Sequence, residues 1–119
     1  MEKYEIEFFQ LENGTEPAKE FIASLPPKMI AKMLRIIDLL EENGPLLRMP
    51  YSEYLRDGIF EIRAKQGSDI SRILYFFVIG RKIILTNGFV KKTMKTPASE
   101  IEKAKKYKSD YERRTQNDV

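Results

Sequence analysis

The part of this sequence that most restricts its fold lies between Ile59 and Val90. Three strand-like runs, Ile59 to Lys65, Ile70 to Ile79 and Lys82 to Val90, are separated only by Gln66-Gly67-Ser68-Asp69 and by Gly80-Arg81. Connections this short join antiparallel neighbours, because a parallel pair needs a crossover of a dozen residues or more. The three runs therefore form a meander. The middle run is apolar on both faces except for Arg72, which makes it the central strand.

The N-terminal part supplies what covers the sheet. From Lys3 to Phe9, Tyr4, Ile6 and Phe8 alternate with Lys3, Glu5 and Glu7, the period of a half-buried strand. Glu12-Asn13-Gly14 is a turn signal. A helix is expected from Thr15, with Thr15 as its cap and Pro17 in its first turn. Pro26-Pro27 ends it and starts a second. There Ile30, Met33, Leu34, Ile37 and Leu40 make an apolar stripe, and Asn43-Gly44-Pro45 stops it. Residues 46–57 read as irregular. A last helix is expected from Thr96, with Ile101, Ala104 and Tyr111 roughly on one face and Thr115 to Val119 frayed. The expected order is β-α-α-β-β-β-α. This is an α+β fold in which a mostly antiparallel four-stranded sheet carries a two-helix hairpin on one face and a C-terminal helix.

Composition bounds the chemistry. The 119 residues make one domain's worth, expected to span 1–119. Cysteine, histidine and tryptophan are all absent. Packing, not disulfides, must then supply stability, and Ser-His-Asp or Cys-His catalysis and most zinc sites are excluded. Neither a cofactor nor a metal is expected. The charged start Met1-Glu-Lys-Tyr-Glu and the lack of any apolar run near ~20 residues place the chain in the cytoplasm, with no membrane partner.

Charge is unevenly spread. Residues 1–47 hold five Lys/Arg and nine Asp/Glu, residues 48–95 hold ten and four, and residues 96–119 hold six and five. A basic block of this kind is the electrostatic footprint of a polyanion site, and it is also what a merely lysine-rich solvated surface shows. Within it, Arg72 would be costly if buried unpaired. It therefore either faces a ligand groove or holds Glu61 or Asp69. Strand alternation puts Glu61, Arg63 and Lys65 outward in a row, with Phe60, Ile62 and Ala64 in the core. Lys91, Lys92 and Lys95 crowd a strand-to-helix junction, either as a phosphate site or as a solvated loop. Tyr75 belongs to the core by its strand neighbours.

Three runs carry a resemblance: Leu55-Arg-Asp-Gly-Ile-Phe-Glu-Ile-Arg63, Ser71-Arg-Ile-Leu-Tyr-Phe77 and Gly88-Phe-Val-Lys-Lys-Thr-Met-Lys-Thr-Pro97. They are similar to the phage-derived, HigB-like branch of the RelE/ParE toxin superfamily, over about Tyr4 to Lys108. The resemblance implies a RelE-like fold and a type II toxin that binds the ribosome and cuts mRNA there without metal. It also implies a helix-turn-helix, HigA-like antitoxin as partner in a hetero-oligomer. By residue it implies that Arg63, Lys91 and Lys92 match basic positions of the site and that Arg72 matches a phosphate-contacting arginine; Lys95 and Glu61 join them as catalytic candidates on their own chemistry. Lys65, Arg56, Lys82 and Phe89 complete the expected RNA-contacting set. Some relatives of this kind place histidines at the cutting site, and this chain has none.

A metal-free cut uses the ribose 2′-OH as nucleophile, which needs a base, an acid and cations. Arginine stays protonated, so Arg63 and Arg72 can only orient and stabilise. A lysine crowded by other cations gives up its proton more readily, so Lys91, Lys92 or Lys95 can act as base; Glu61 is the other candidate. A non-catalytic reading stands beside this one. The ParE branch of the same superfamily poisons DNA gyrase, and a protein that binds nucleic acid without cutting has the same charge.

Overall fold

The meander forms as its turns dictate, and one more strand joins it. The computed structural model describes residues 3–116. Its elements are β1 (Glu5–Phe8), α1 (Pro17–Ala23), α2 (Pro27–Asn43), a 3₁₀ turn (Gly44–Leu46), β2 (Ser52–Arg56), β3 (Ile59–Gln66), β4 (Asp69–Val78), β5 (Lys82–Lys91) and α3 (Ala98–Gln116). The sheet has five strands in the order β1-β5-β4-β3-β2. The expected four-stranded sheet is thus corrected. β2 arises inside the stretch read as irregular, paired antiparallel with β3 through the Asp57-Gly58 turn. Both turn residues have positive φ, 52° and 80°, as the tightest hairpin turn requires.

β1 pairs with β5, and the pairing is parallel: Glu5 stands opposite Lys82 and Phe8 opposite Leu85. Each edge of the sheet is therefore a short strand, which limits pairing with other chains. β4 lies at the centre, with β3 and β5 on either side.

The pleat sorts side chains onto two faces. On one, Ile62, Ala64, Ile73, Tyr75, Ile83 and Leu85 pack against Ala18, Ile22, Met29, Met33, Ile37 and Leu40 of the helix hairpin. On the other, Ile59, Leu74, Phe76 and Ile84 pack with Phe9 against Ile101 and Ala104 of α3. The helices thus cover both faces. Gly88 lets α1 approach β5, since a Cβ there would sit 2.3 Å from the Phe21 ring.

Several boundaries move. Glu16, not Thr15, occupies the N-cap of α1, without a side-chain hydrogen bond. In α2 the buried residues are Met29, Met33, Ile36, Ile37 and Leu40, and Leu34 is exposed. The stripe is rotated toward Met29 and Ile36 because α2 meets both α1 and β3. Gly44 caps α2 at φ 52° as expected. α3 begins at Ala98 and keeps Thr115 and Gln116 helical, so they are not frayed; the rest of the expected frayed segment, 117–119, lies outside the described residues. Among the described residues no helix is long and apolar enough to cross a membrane.

Candidate nucleic-acid interface

Strand register builds the site in rows. Arg63 on β3 pairs with Arg72 on β4, and Arg72 pairs with Phe89 on β5. One row further along, Lys65 pairs with Ile70 and Ile70 with Lys91. Because the side-chain period is two, Glu61, Arg63 and Lys65 share the face that α3 covers.

The expected outward row of Glu61, Arg63 and Lys65 needs correcting. Only Lys65 is exposed; Glu61 is fully buried and the Arg63 side chain is 9% exposed. The physical reason is segment 92–97, which leads from β5 into α3 and folds back over the sheet. The Thr93 carbonyl accepts a hydrogen bond from Arg72 Nη2. The Met94 carbonyl accepts one from Arg63 Nη2 at 3.3 Å. Thr96 Oγ1 donates to Glu61 Oε1.

Beneath this segment the charges neutralise one another. Glu61 Oε2 accepts from Arg63 Nε at 2.5 Å and lies 3.7 Å from Arg72 Nε. Arg63 Nη2 also donates to Glu53, on the edge strand β2. Of the two partners expected for Arg72, the structure brings up Glu61 and leaves Asp69 exposed at the start of β4. Arg72 is wholly buried, and its Nε and Nη1 have no hydrogen-bond partner among the described residues. Its guanidinium lies 5.5 Å from the centre of the Phe89 ring, a cation–π contact. Burial pulls the Arg72 pKa below its ordinary value; Glu61 opposes that shift and Arg63 adds to it.

Around this buried network the surface is cationic. Lys65, Lys91, Lys92 and Lys95 are exposed, and no ion pair engages them among the described residues. A recess of about 460 Å³ opens beside them, lined in part by Glu53, Arg63, Met94, Lys95 and Thr96. Two residues of the expected set lie elsewhere. Lys82 is at the other end of β5 from Lys91, roughly 30 Å away at the strand rise, and pairs with Glu5 at 3.6 Å. Arg56 is at the Asp57-Gly58 end of β2 and pairs with Glu102 at 2.8 Å.

Tyr75 is in the core on the opposite face, where its hydroxyl meets Ser52 Oγ at 2.6 Å. Burial pushes its pKa up to about 12, with the Ser52 hydrogen bond opposing the rise. Among the described residues no group of acidic side chains is placed to hold a metal ion. Sequence reasoning missed Glu53 and Thr96. Glu53 fell in the stretch read as irregular, although Asp57-Gly58 marks a hairpin there. The sequence marks Thr96 only as a helix start, and nothing local places it on Glu61.

Residues 20–109 match the model of the family described as phage derived protein Gp49-like (DUF891). The match contains every residue of the site described above. The family is associated with the toxins of toxin–antitoxin systems. No curated protein matches the chain.

Proposed function

The chain belongs to the phage-derived Gp49-like family, and on that premise we propose that it is the toxin of a type II toxin–antitoxin system. In this reading residues 1–119 form one HigB-like toxin domain of RelE-like fold. It works in the cytoplasm as a ribosome-dependent mRNA endonuclease. The observation that carries the reading is the set of exposed cations Lys65, Lys91, Lys92 and Lys95, without ion pairs among the described residues, gathered around one end of the sheet. They meet the phosphate backbone of RNA, and Phe89 lies among them beside Arg72.

The cut needs no metal. A lysine of the 91–95 segment takes the proton of a ribose 2′-OH. The freed oxygen attacks the adjacent phosphorus, forming the O2′–P bond while the P–O5′ bond breaks. A second ammonium group protonates the leaving 5′ oxygen. Glu61 is poorly placed to be the base, because Arg63 and Thr96 already occupy its oxygens out of reach of solvent. It serves instead to hold Arg63 and Arg72, whose charge supports the phosphate from beneath. A helix-turn-helix, HigA-like antitoxin binds the toxin and silences it.

The test is to add the purified protein to translating ribosomes and map the new mRNA ends. Cuts at the codon in the ribosomal A site are expected. Intact mRNA under conditions where the protein blocks growth would overturn the reading. Inhibition of gyrase supercoiling in the same preparation would move the protein to the ParE-like class.

A further inference from the structure

A second cationic surface lies outside the sheet. Lys28, Lys32 and Arg35 stand at i, i+4 and i+7 on α2, all exposed, so they form one stripe along the helix. They lie within residues 1–47, a span that is net acidic. Among the described residues no carboxylate pairs with any of the three. In contrast, Lys3, Lys19, Arg56, Lys82, Lys103 and Arg113 each hold an acidic partner.

Helix stability does not account for the stripe. α2 has no acidic residue in its first turn and no basic residue in its last, while Glu41 and Glu42 sit near its C-terminus. This is the reverse of what the helix dipole favours. Lys28, in the first turn, is placed against this preference, and Lys32 and Arg35, in mid-helix, gain nothing from the dipole.

Lys32 and Arg35 border a groove of about 480 Å³ between α2 and the sheet, with Ile36 and Leu39 in its floor and Tyr51 and Lys65 around it. Among the described residues no carboxylate lines it. Tyr51 is 41% exposed. Lys32 Nζ donates to the Lys65 carbonyl at 2.9 Å, which joins the stripe to β3. Lys65 also belongs to the row that leads through Ile70 to Lys91, about 10 Å away at two strand spacings.

We infer that this groove is a second RNA subsite. It seats one nucleotide of single-stranded RNA, with the base against Tyr51 and the flanking phosphates on Lys32 and Arg35. The inference rests on the proposed RNA-directed function and extends it past the cutting surface. The occupant follows from size and charge. The apolar lining is short, Ile36, Leu39, Pro50 and Ala64, not the long strip that an amphipathic helix needs. An aromatic side chain beside unpaired cations is how single strands are held without sequence readout.

The test is anisotropy of a fluorescein-labelled 12-nucleotide oligouridylate titrated with the full chain at several salt concentrations. K32Q/R35Q is expected to weaken binding tenfold or more at low salt and to lower the log–log salt slope by about 1.4, two phosphates at about 0.7 each. Y51A is expected to weaken binding about tenfold with the slope unchanged, since stacking carries no counterion release. K103Q, on α3, should bind as wild type. Melting temperatures of all variants confirm folding.

Groove variants that bind like the wild type overturn the subsite and leave mRNA cutting untouched. If the wild type cuts no mRNA but the groove variants still lose oligouridylate, the subsite stands and the cutting reading falls. Binding of poly-glutamate at the groove in place of oligouridylate would overturn the inference in favour of an acidic peptide partner.

Discussion

Arg63 and Arg72 lie directly opposite each other on adjacent strands, and buried Glu61 lies within 3.7 Å of both. Like charges opposed across a ladder repel, so the pair depends on the carboxylate between them. Removing Glu61 leaves Arg72 buried, with two donors already unpartnered. Glu61→Ala is therefore expected to cost about 3–5 kcal/mol, the range for breaking a buried pair. The shift in urea midpoint measures it. A midpoint within error of wild type would show that Arg72 does not rely on Glu61. Arg72 is itself fully buried, so an Arg72 variant that loses toxicity is informative only when its stability is measured too.

The exposed lysines give the cleaner test of chemistry. Lys91→Ala/Lys92→Ala touches no ion pair among the described residues and should leave the melting temperature unchanged. Ribosome-dependent mRNA cutting should fall about a hundredfold or more, the usual worth of an acid–base group. Lys91→Arg/Lys92→Arg separates the two roles. Arginine keeps the charge but cannot surrender its proton, so RNA binding should return and cutting should not. Full cutting by the arginine variant would remove these lysines from proton transfer.

How much of this could be read from the chain depended on whether the signal was local. β3, β4 and β5 fell within a residue or so of their expected bounds because Gly67 and Gly80 mark tight turns and the runs between them are apolar. β2 was hidden among Pro45, Pro50 and polar residues, though Asp57-Gly58 flagged its hairpin. The parallel pairing of β1 with β5 was not legible, since it joins strands more than seventy residues apart and no turn encodes it. The same limit applies at the site. Strand period put Glu61 and Arg63 on one face correctly. It could not show that residues 92–97, some thirty positions later, cover that face and turn an outward row into a buried network. Folding of that segment is a tertiary event with no periodic signature.

Gly88 tests how closely α1 is seated. Alanine there would place its Cβ 2.3 Å from the Phe21 ring, and ring atoms in a packed layer cannot swing aside as a flexible chain end can. Gly88→Ala is expected to destabilise the fold by about 1–3 kcal/mol, the usual range for overpacking. Phe21→Leu in the same chain should recover part of the loss. A double-mutant cycle on thermal or urea unfolding reads the coupling directly. Additive effects would mean that the two side chains do not meet.

Tyr75 gives the fold a pH dependence at the alkaline end. Its hydroxyl is buried against Ser52 at 2.6 Å, and burial raises its pKa from 10.0 to about 12. The folded state thus holds this proton more tightly than the unfolded state does. The contribution is complete below about pH 10, declines as the unfolded chain ionises, and is lost as pH rises through about 12. Its full extent is on the order of 2–3 kcal/mol. Tyr75→Phe removes the titration and leaves Ser52 Oγ without its partner, which costs about 1–2 kcal/mol at neutral pH. Urea unfolding of both proteins at pH 8, 10 and 11 separates these effects. The wild type should start more stable and lose more with rising pH, so that the two curves converge. Parallel curves would show that Tyr75 ionises no differently in the folded and unfolded chains.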